Sequence, residues 1–105
     1  YGFNGFFMGD VEHGSFMEWS LVKQDLNSSK CQVWHEECCY PSEVAFVPNP
    51  SGQNEDDGVL LSCVYDSRKD ESFLLVINAS TMKEIARAYT GFRISPQFHG
   101  KWFAP

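Results

Sequence analysis

Gly58-Val59-Leu60-Leu61-Ser62-Cys63-Val64-Tyr65-Asp66 and Phe73-Leu74-Leu75-Val76-Ile77 are two apolar runs parted by the charged connection Ser67-Arg68-Lys69-Asp70-Glu71. Short runs rich in β-branched and aromatic residues, bounded by turn residues, read as strands rather than helices. The pair therefore reads as a hairpin. The first run is nearly continuous in apolar side chains and is expected to be a central strand. The second is the most hydrophobic of the chain. Its apolar side chains point both ways, which predicts cover on both faces.

The same grammar extends in both directions. Upstream, Pro48-Asn49-Pro50-Ser51-Gly52-Gln53-Asn54 is a strong breaker. Glu55-Asp56-Asp57-Gly58 clusters carboxylates before a glycine, but the alternating oxygen ligands and late Glu of a calcium loop are missing. An acidic solvated turn is the expectation there. Glu43 to Val47 reads as extended and Glu36 to Pro41 as a loop. Cys31 to His35 and Ser15 to Lys23 both alternate. In the latter, Met17, Trp19, Leu21 and Lys23 share one parity. Turn chemistry at residues 25–30 joins these two as a hairpin. Tyr1 to Gly14, rich in Gly and Phe, reads as irregular strand plus turn, with His13 as a turn residue rather than a ligand.

Downstream, Ala79 to Thr90 supports two readings. Thr81 followed by Glu84 looks like a capping box, with Met82, Ile85, Ala86 and Ala88 lining a helix. Alternatively, a turn at Asn78-Ala79-Ser80-Thr81 leads into a strand in which Ile85, Arg87 and Tyr89 share a face. Phe92-Arg93-Ile94 reads as extended, and Pro96 ends it. Strand follows short strand throughout, which is the pattern of an all-β sandwich, barrel or propeller.

Composition narrows the function classes. The 105 residues allow one domain at most, and an apolar share of 43% is that of a globular chain. Eight basic residues against fourteen acidic ones give a net charge of −6. That excludes nucleic acid as a partner, because phosphate binding needs a basic stripe. No apolar run is long enough to span a bilayer. The sequence opens on Tyr1 without an initiator Met and reads as a piece of a longer polypeptide. Four cysteines, Cys31, Cys38, Cys39 and Cys63, do not make a zinc pattern. Reduced thiols are the preferred reading. Disulfides remain the alternative, and with the sequons at Asn27 and Asn78 they would suit a secreted β module that binds ligands without catalysis.

One stretch carries chemistry. In Phe98-His99-Gly100-Lys101-Trp102-Phe103, a histidine stands between an aromatic and a glycine. Histidine is the commonest metal ligand, although a lone one among aromatics is more often a packed ring.

Six motifs in order raise the metal reading. They are Trp34-His35-Glu36, Tyr40-Pro41-Ser42-Glu43, Glu55-Asp56-Asp57-Gly58-Val59, Leu74 to Ala79, Glu84 to Ala88, and Phe98-His99-Gly100. Together they resemble the C-terminal part of the carotenoid cleavage oxygenase family, which includes β-carotene oxygenases and the retinal pigment epithelium retinoid isomerase. The resemblance runs from Leu21 onward; residues 1–20 match it poorly, and Cys38-Cys39 departs from it. It implies an all-β fold: about two C-terminal blades of a seven-bladed β-propeller, with residues 1–105 an incomplete domain. It implies ferrous iron held by four histidines, of which His99 alone lies here. It makes Glu43 a carboxylate that orients a ligand histidine. It settles Ala79 to Tyr89 as turn plus strand.

The implied parent is a non-haem iron(II) dioxygenase that cleaves a double bond of carotenoids or apocarotenoids to aldehydes or ketones. A retinyl ester isomerase is the alternative within the family. The implied partners are a carotenoid or retinoid and dioxygen, with peripheral membrane association through upstream segments and no obligate protein partner. The expected compartment is cytoplasmic, with membrane-associated and mitochondrial siting open. The isolated chain is expected to be inactive.

Overall fold

The computed structural model describes residues 1–7 and 19–105. The expected turn at His13-Gly14 and the start of the alternating run at Ser15 lie outside the described residues. Eight strands follow in order: β1 (Gly2–Phe7), β2 (Trp19–Gln24), β3 (Cys31–Trp34), β4 (Cys39–Pro41), β5 (Ala45–Pro48), β6 (Gly58–Asp66), β7 (Glu71–Asn78) and β8 (Glu84–Tyr89). No helix occurs among the described residues.

The strands form two antiparallel sheets. The smaller has the order β1-β2-β3. The larger runs β6-β7-β8, with β4 and β5 both lying along the free edge of β6. A meander of four strand positions is the form of a propeller blade. β7 pairs with β6 along its whole length, from Asn78 opposite Val59 to Glu71 opposite Asp66, so the hairpin read from the sequence is formed.

Alternation decides what is buried. Leu60, Ser62, Val64 and Asp66 of β6 and Phe73, Leu75 and Ile77 of β7 face the core, all at 3% exposure or less. Leu21 and Trp34, opposite one another on β2 and β3, close it from the smaller sheet. Phe3 stacks on Phe46, with ring centroids 5.9 Å apart. The other face of β7 is less covered than expected. Leu74 is 42% exposed and Val76 half-buried, and the terminal stretch Gln97 to Gly100 borders a cavity on the Leu74 side.

Three local readings need correction. The stretch 36–41 is not all loop: Cys39–Pro41 pair with Asp66 to Val64 as β4. Phe92-Arg93-Ile94 joins no strand; it loops over Ser72, whose backbone N–H donates to Phe92 O and whose Oγ accepts from Ile94 N–H. The acidic turn is not simply solvated. Asp57 caps it through the backbone N–H groups of Gln53 and Asn54, whereas Asp56 reaches back 2.6 Å to Lys23, which is 3% exposed.

The ambiguous stretch 79–90 is turn plus strand. Asn78 Oδ1 accepts from Ser80 and Thr81 N–H, and Met82 takes the left-handed φ of 56° that closes the turn. Between Val76 and Ile77 the register to β8 slips: Val76 faces Ala86 but Ile77 faces Glu84. The extra residue, Ile85, is a β-bulge. It returns Glu84 to the face of Arg87, so a pair three apart can form an ion pair inside a strand.

Candidate metal-ligand site

Glu43 lies where β4 gives way to β5. Pro41 opposes Val64 and Ala45 opposes Leu61, so three residues, Ser42 to Val44, face the two residues Ser62 and Cys63. Such an excess re-aims a side chain out of the pleat. Glu43 is therefore not the first residue of a strand, as its place before Val44 suggested, but the apex of a break. Its carboxylate points to the less covered side of the sheet, where the terminal stretch passes.

There the stretch brings in His99. Its Nδ1 lies 2.9 Å from Glu43 Oε2, across 56 residues of sequence. A carboxylate can only accept, so Nδ1 carries the proton and donates it. Nε2 then presents its lone pair, and no hydrogen bond to it occurs among the described residues. The Phe98 ring meets the imidazole edge-on at 4.7 Å. His99 is 76% exposed by side chain. Beneath the pair is a cavity of about 170 Å³, walled by Ala45, Leu61, Cys63, Leu74 and Phe98. Ligand pockets for drug-sized molecules start at about 300 Å³. This cavity is one wall of a larger site at most.

A second polar cluster, not read from the sequence, sits at one end of the core face. Arg87 binds Glu84 (2.6 Å) and Glu36 (2.9 Å), and its guanidinium lies 4.4 Å over the Phe73 ring. The Arg87 hydrogen bond holds Glu36 below the usual glutamate range. Asp66, fully buried, accepts from Arg68 Nε at 3.0 Å and from the Tyr89 hydroxyl at 3.1 Å, and Arg68 chiefly lowers its pKa. Burial pushes the Cys39 thiol up to about 12, and it donates to Glu36 Oε2 at 2.9 Å. A thiol so raised stays protonated and unreactive. Each carboxylate here is claimed by an arginine, which makes the cluster a clasp between the β3–β4 connection, the β6–β7 turn and β8. No disulfide joins the four cysteines to one another. His35 is likewise engaged, its Nδ1 3.0 Å from Trp19 O.

Among the described residues no three His, Cys, Asp or Glu side chains converge as a metal site. The donor set fits a metal in a limited sense: one imidazole with its tautomer fixed and its second nitrogen free. No described helix is long and apolar enough to cross a membrane.

Comparison with known proteins agrees with this architecture. The sequence model of the family described as Retinal pigment epithelial membrane protein matches residues 4–104. A carotenoid dioxygenase of Neurospora crassa is 43% identical over 82 residues, which are 77% of this chain and 13% of that protein. A mitochondrial carotenoid-cleaving dioxygenase of Homo sapiens is 42% identical over 82 residues, covering 77% of the chain and 14% of that protein. The chain thus spans under a fifth of the length of these relatives. Among solved structures, cobalt-substituted Synechocystis apocarotenoid oxygenase superposes with a TM-score of 0.79 at 29% identity, over 82% of this chain and 19% of that one. Strand meander, ordered motifs and relatives converge: the chain belongs to the Retinal pigment epithelial membrane protein family, the β-propeller family of the carotenoid dioxygenases.

Proposed function

We propose that this chain supplies one iron-ligating histidine, His99, and the carboxylate that orients it, Glu43, to a dioxygenase that cleaves a double bond of a carotenoid or apocarotenoid. The observation that carries the reading is the 2.9 Å contact from His99 Nδ1 to Glu43 Oε2, which leaves Nε2 free. A ligating imidazole usually gives its other N–H to a carboxylate, which fixes the tautomer and raises the basicity of the ligating nitrogen. Ferrous iron, when bound, supplies the activation of dioxygen.

The residues around the pair have their own tasks. Glu43 holds the proton of His99 at Nδ1, and Phe98 limits the swing of the ring. Ala45, Leu61 and Leu74 make the floor apolar, which suits a polyene and discourages water. The remaining ligands would come from outside the described residues, as the share of relatives' length covered by this chain allows.

In the full-length enzyme, Glu43→Gln should lower iron affinity or turnover about 10–100-fold, the usual effect of losing such a partner. His99→Ala should abolish stoichiometric iron. Wild-type iron content and turnover in both variants would overturn the reading. Oxygen uptake with a carotenoid supplied distinguishes cleavage from the retinyl ester isomerase reading, in which no oxygen is consumed.

A further inference from the structure

Glu43 hangs from a break in the ladder, and breaks are where a backbone loses its partners. At this one the partners are replaced. The Ser42 backbone N–H donates to Cys63 O at 2.8 Å, and the Ser42 hydroxyl donates to the same oxygen at 2.6 Å. The Ser62 hydroxyl donates to Ser42 O at 2.8 Å. Three hydrogen bonds thus pin the residue before Glu43 to β6. Two of them come from side chains, those of Ser42 in the break and of Ser62 opposite it on β6. Ser62 is 3% exposed and stands among Leu60, Val64 and Leu75, where an apolar side chain would be expected from packing alone.

We infer that Ser42 and Ser62 are positioning residues that fix the carboxylate of Glu43, and through it the ring of His99. The inference rests on the reading of His99 as a metal ligand. The physical reason lies in the length of the lever. Glu43 is 47% exposed by side chain, so packing does little to hold it. Its aim is set by the backbone at its root, and that backbone is tied by hydroxyl groups instead of a regular ladder. A shift of a few tenths of an ångström at Ser42 O would be carried to Oε2 and would lengthen the contact to His99 Nδ1.

The rival account is that the two hydroxyls merely satisfy backbone groups at an irregularity. A double-mutant cycle separates the two. The full-length enzyme is stripped of metal, and its affinity for Co²⁺ is measured with the ligand-field absorption of the bound ion. The variants are Ser62→Ala, Ser42→Ala, Ser42→Thr, Glu43→Gln, and each Ala variant combined with Glu43→Gln.

The expected result is a loss of about 3- to 10-fold in Co²⁺ affinity for each Ala variant, below the 10–100-fold of a directly orienting partner. Ser42→Thr, which keeps the hydroxyl, should restore binding. In the Glu43→Gln background the Ala substitutions should cost nothing further. Equal losses in both backgrounds, or unchanged affinity in both Ala variants, would overturn the inference while leaving Glu43 in its role. Unchanged affinity in Glu43→Gln alone would overturn the role of Glu43, and this inference with it. Should Ser62→Ala fail to fold, the Ser42 series decides by the same criteria.

Discussion

Glu84 shows how a single side chain can mislead and then explain. Three residues after Thr81, it has the spacing of a capping box, and with Met82, Ile85, Ala86 and Ala88 it makes the stretch look like a capped helix. Its partner in the structure is Arg87, which the bulge at Ile85 brings to the same face within a strand. Glu36, the second partner of Arg87, is 51 residues away, beyond the reach of any local pattern. The clasp has a pH signature. Glu36 and Asp66 both have folded-state pKa values below the ordinary 4.5 and 3.8. A carboxylate depressed in this way stabilises the fold above its ordinary pKa. That contribution is lost as the pH falls below 4.5 and through the folded values. Thermal unfolding of the full-length protein between pH 7 and 3 should therefore drop steeply below about pH 4.5. Glu36→Gln should lower the midpoint at neutral pH and flatten the acid limb. An acid limb identical to wild type would show that Glu36 does not contribute.

At the scale of elements, legibility followed length. β6 and β7, nine and eight residues long, were evident from hydrophobicity alone. β4, three residues ending in proline, offers too little pattern to be seen, and it pairs only because β6 runs past it. The two faces of β7 carry equally apolar residues, so the sequence could not rank them; the structure does. Leu75 is fully buried and Leu74 is 42% exposed. Leu75→Ala should cost about 2–5 kcal/mol in chemical denaturation, the range for a buried leucine. Leu74→Ala should cost less than half as much unless residues outside those described cover it. Equal losses at the two positions would mean that both faces are packed in the whole protein. The contact between Glu43 and His99 was legible only through the family resemblance, since neither residue's neighbourhood in sequence contains the other.

For the molecule as a whole, exposure is the informative quantity. Ile85, Phe92, Phe98 and Phe103 are 56–86% exposed. Apolar side chains this open add to the driving force for association. The outer strands also leave backbone groups open to pairing. Residues 1–105 expressed alone should associate at micromolar concentration, bind ferrous iron weakly and show no carotenoid turnover, because His99 by itself cannot close a tight site. A monomer with stoichiometric iron and measurable cleavage would place the active site elsewhere.

The buried Lys23 also bears on the order of events in time. Its ammonium joins Asp56 at 2.6 Å and Ser80 O at 3.1 Å, partners 33 and 57 residues downstream, whereas β6, β7 and β8 connect through turns of a few residues. Local pairings close quickly and distant ones slowly. The β6–β8 meander should therefore nucleate first, and Lys23 should latch the smaller sheet onto it afterwards. Interactions made after the barrier are felt in escape from the native state, not in arrival at it. Lys23→Met should leave the refolding rate nearly unchanged and accelerate unfolding. In native-state hydrogen exchange, the amides of β2 should lose protection while those of β7 keep theirs. Slowed refolding with unaltered unfolding would place the latch inside the nucleus.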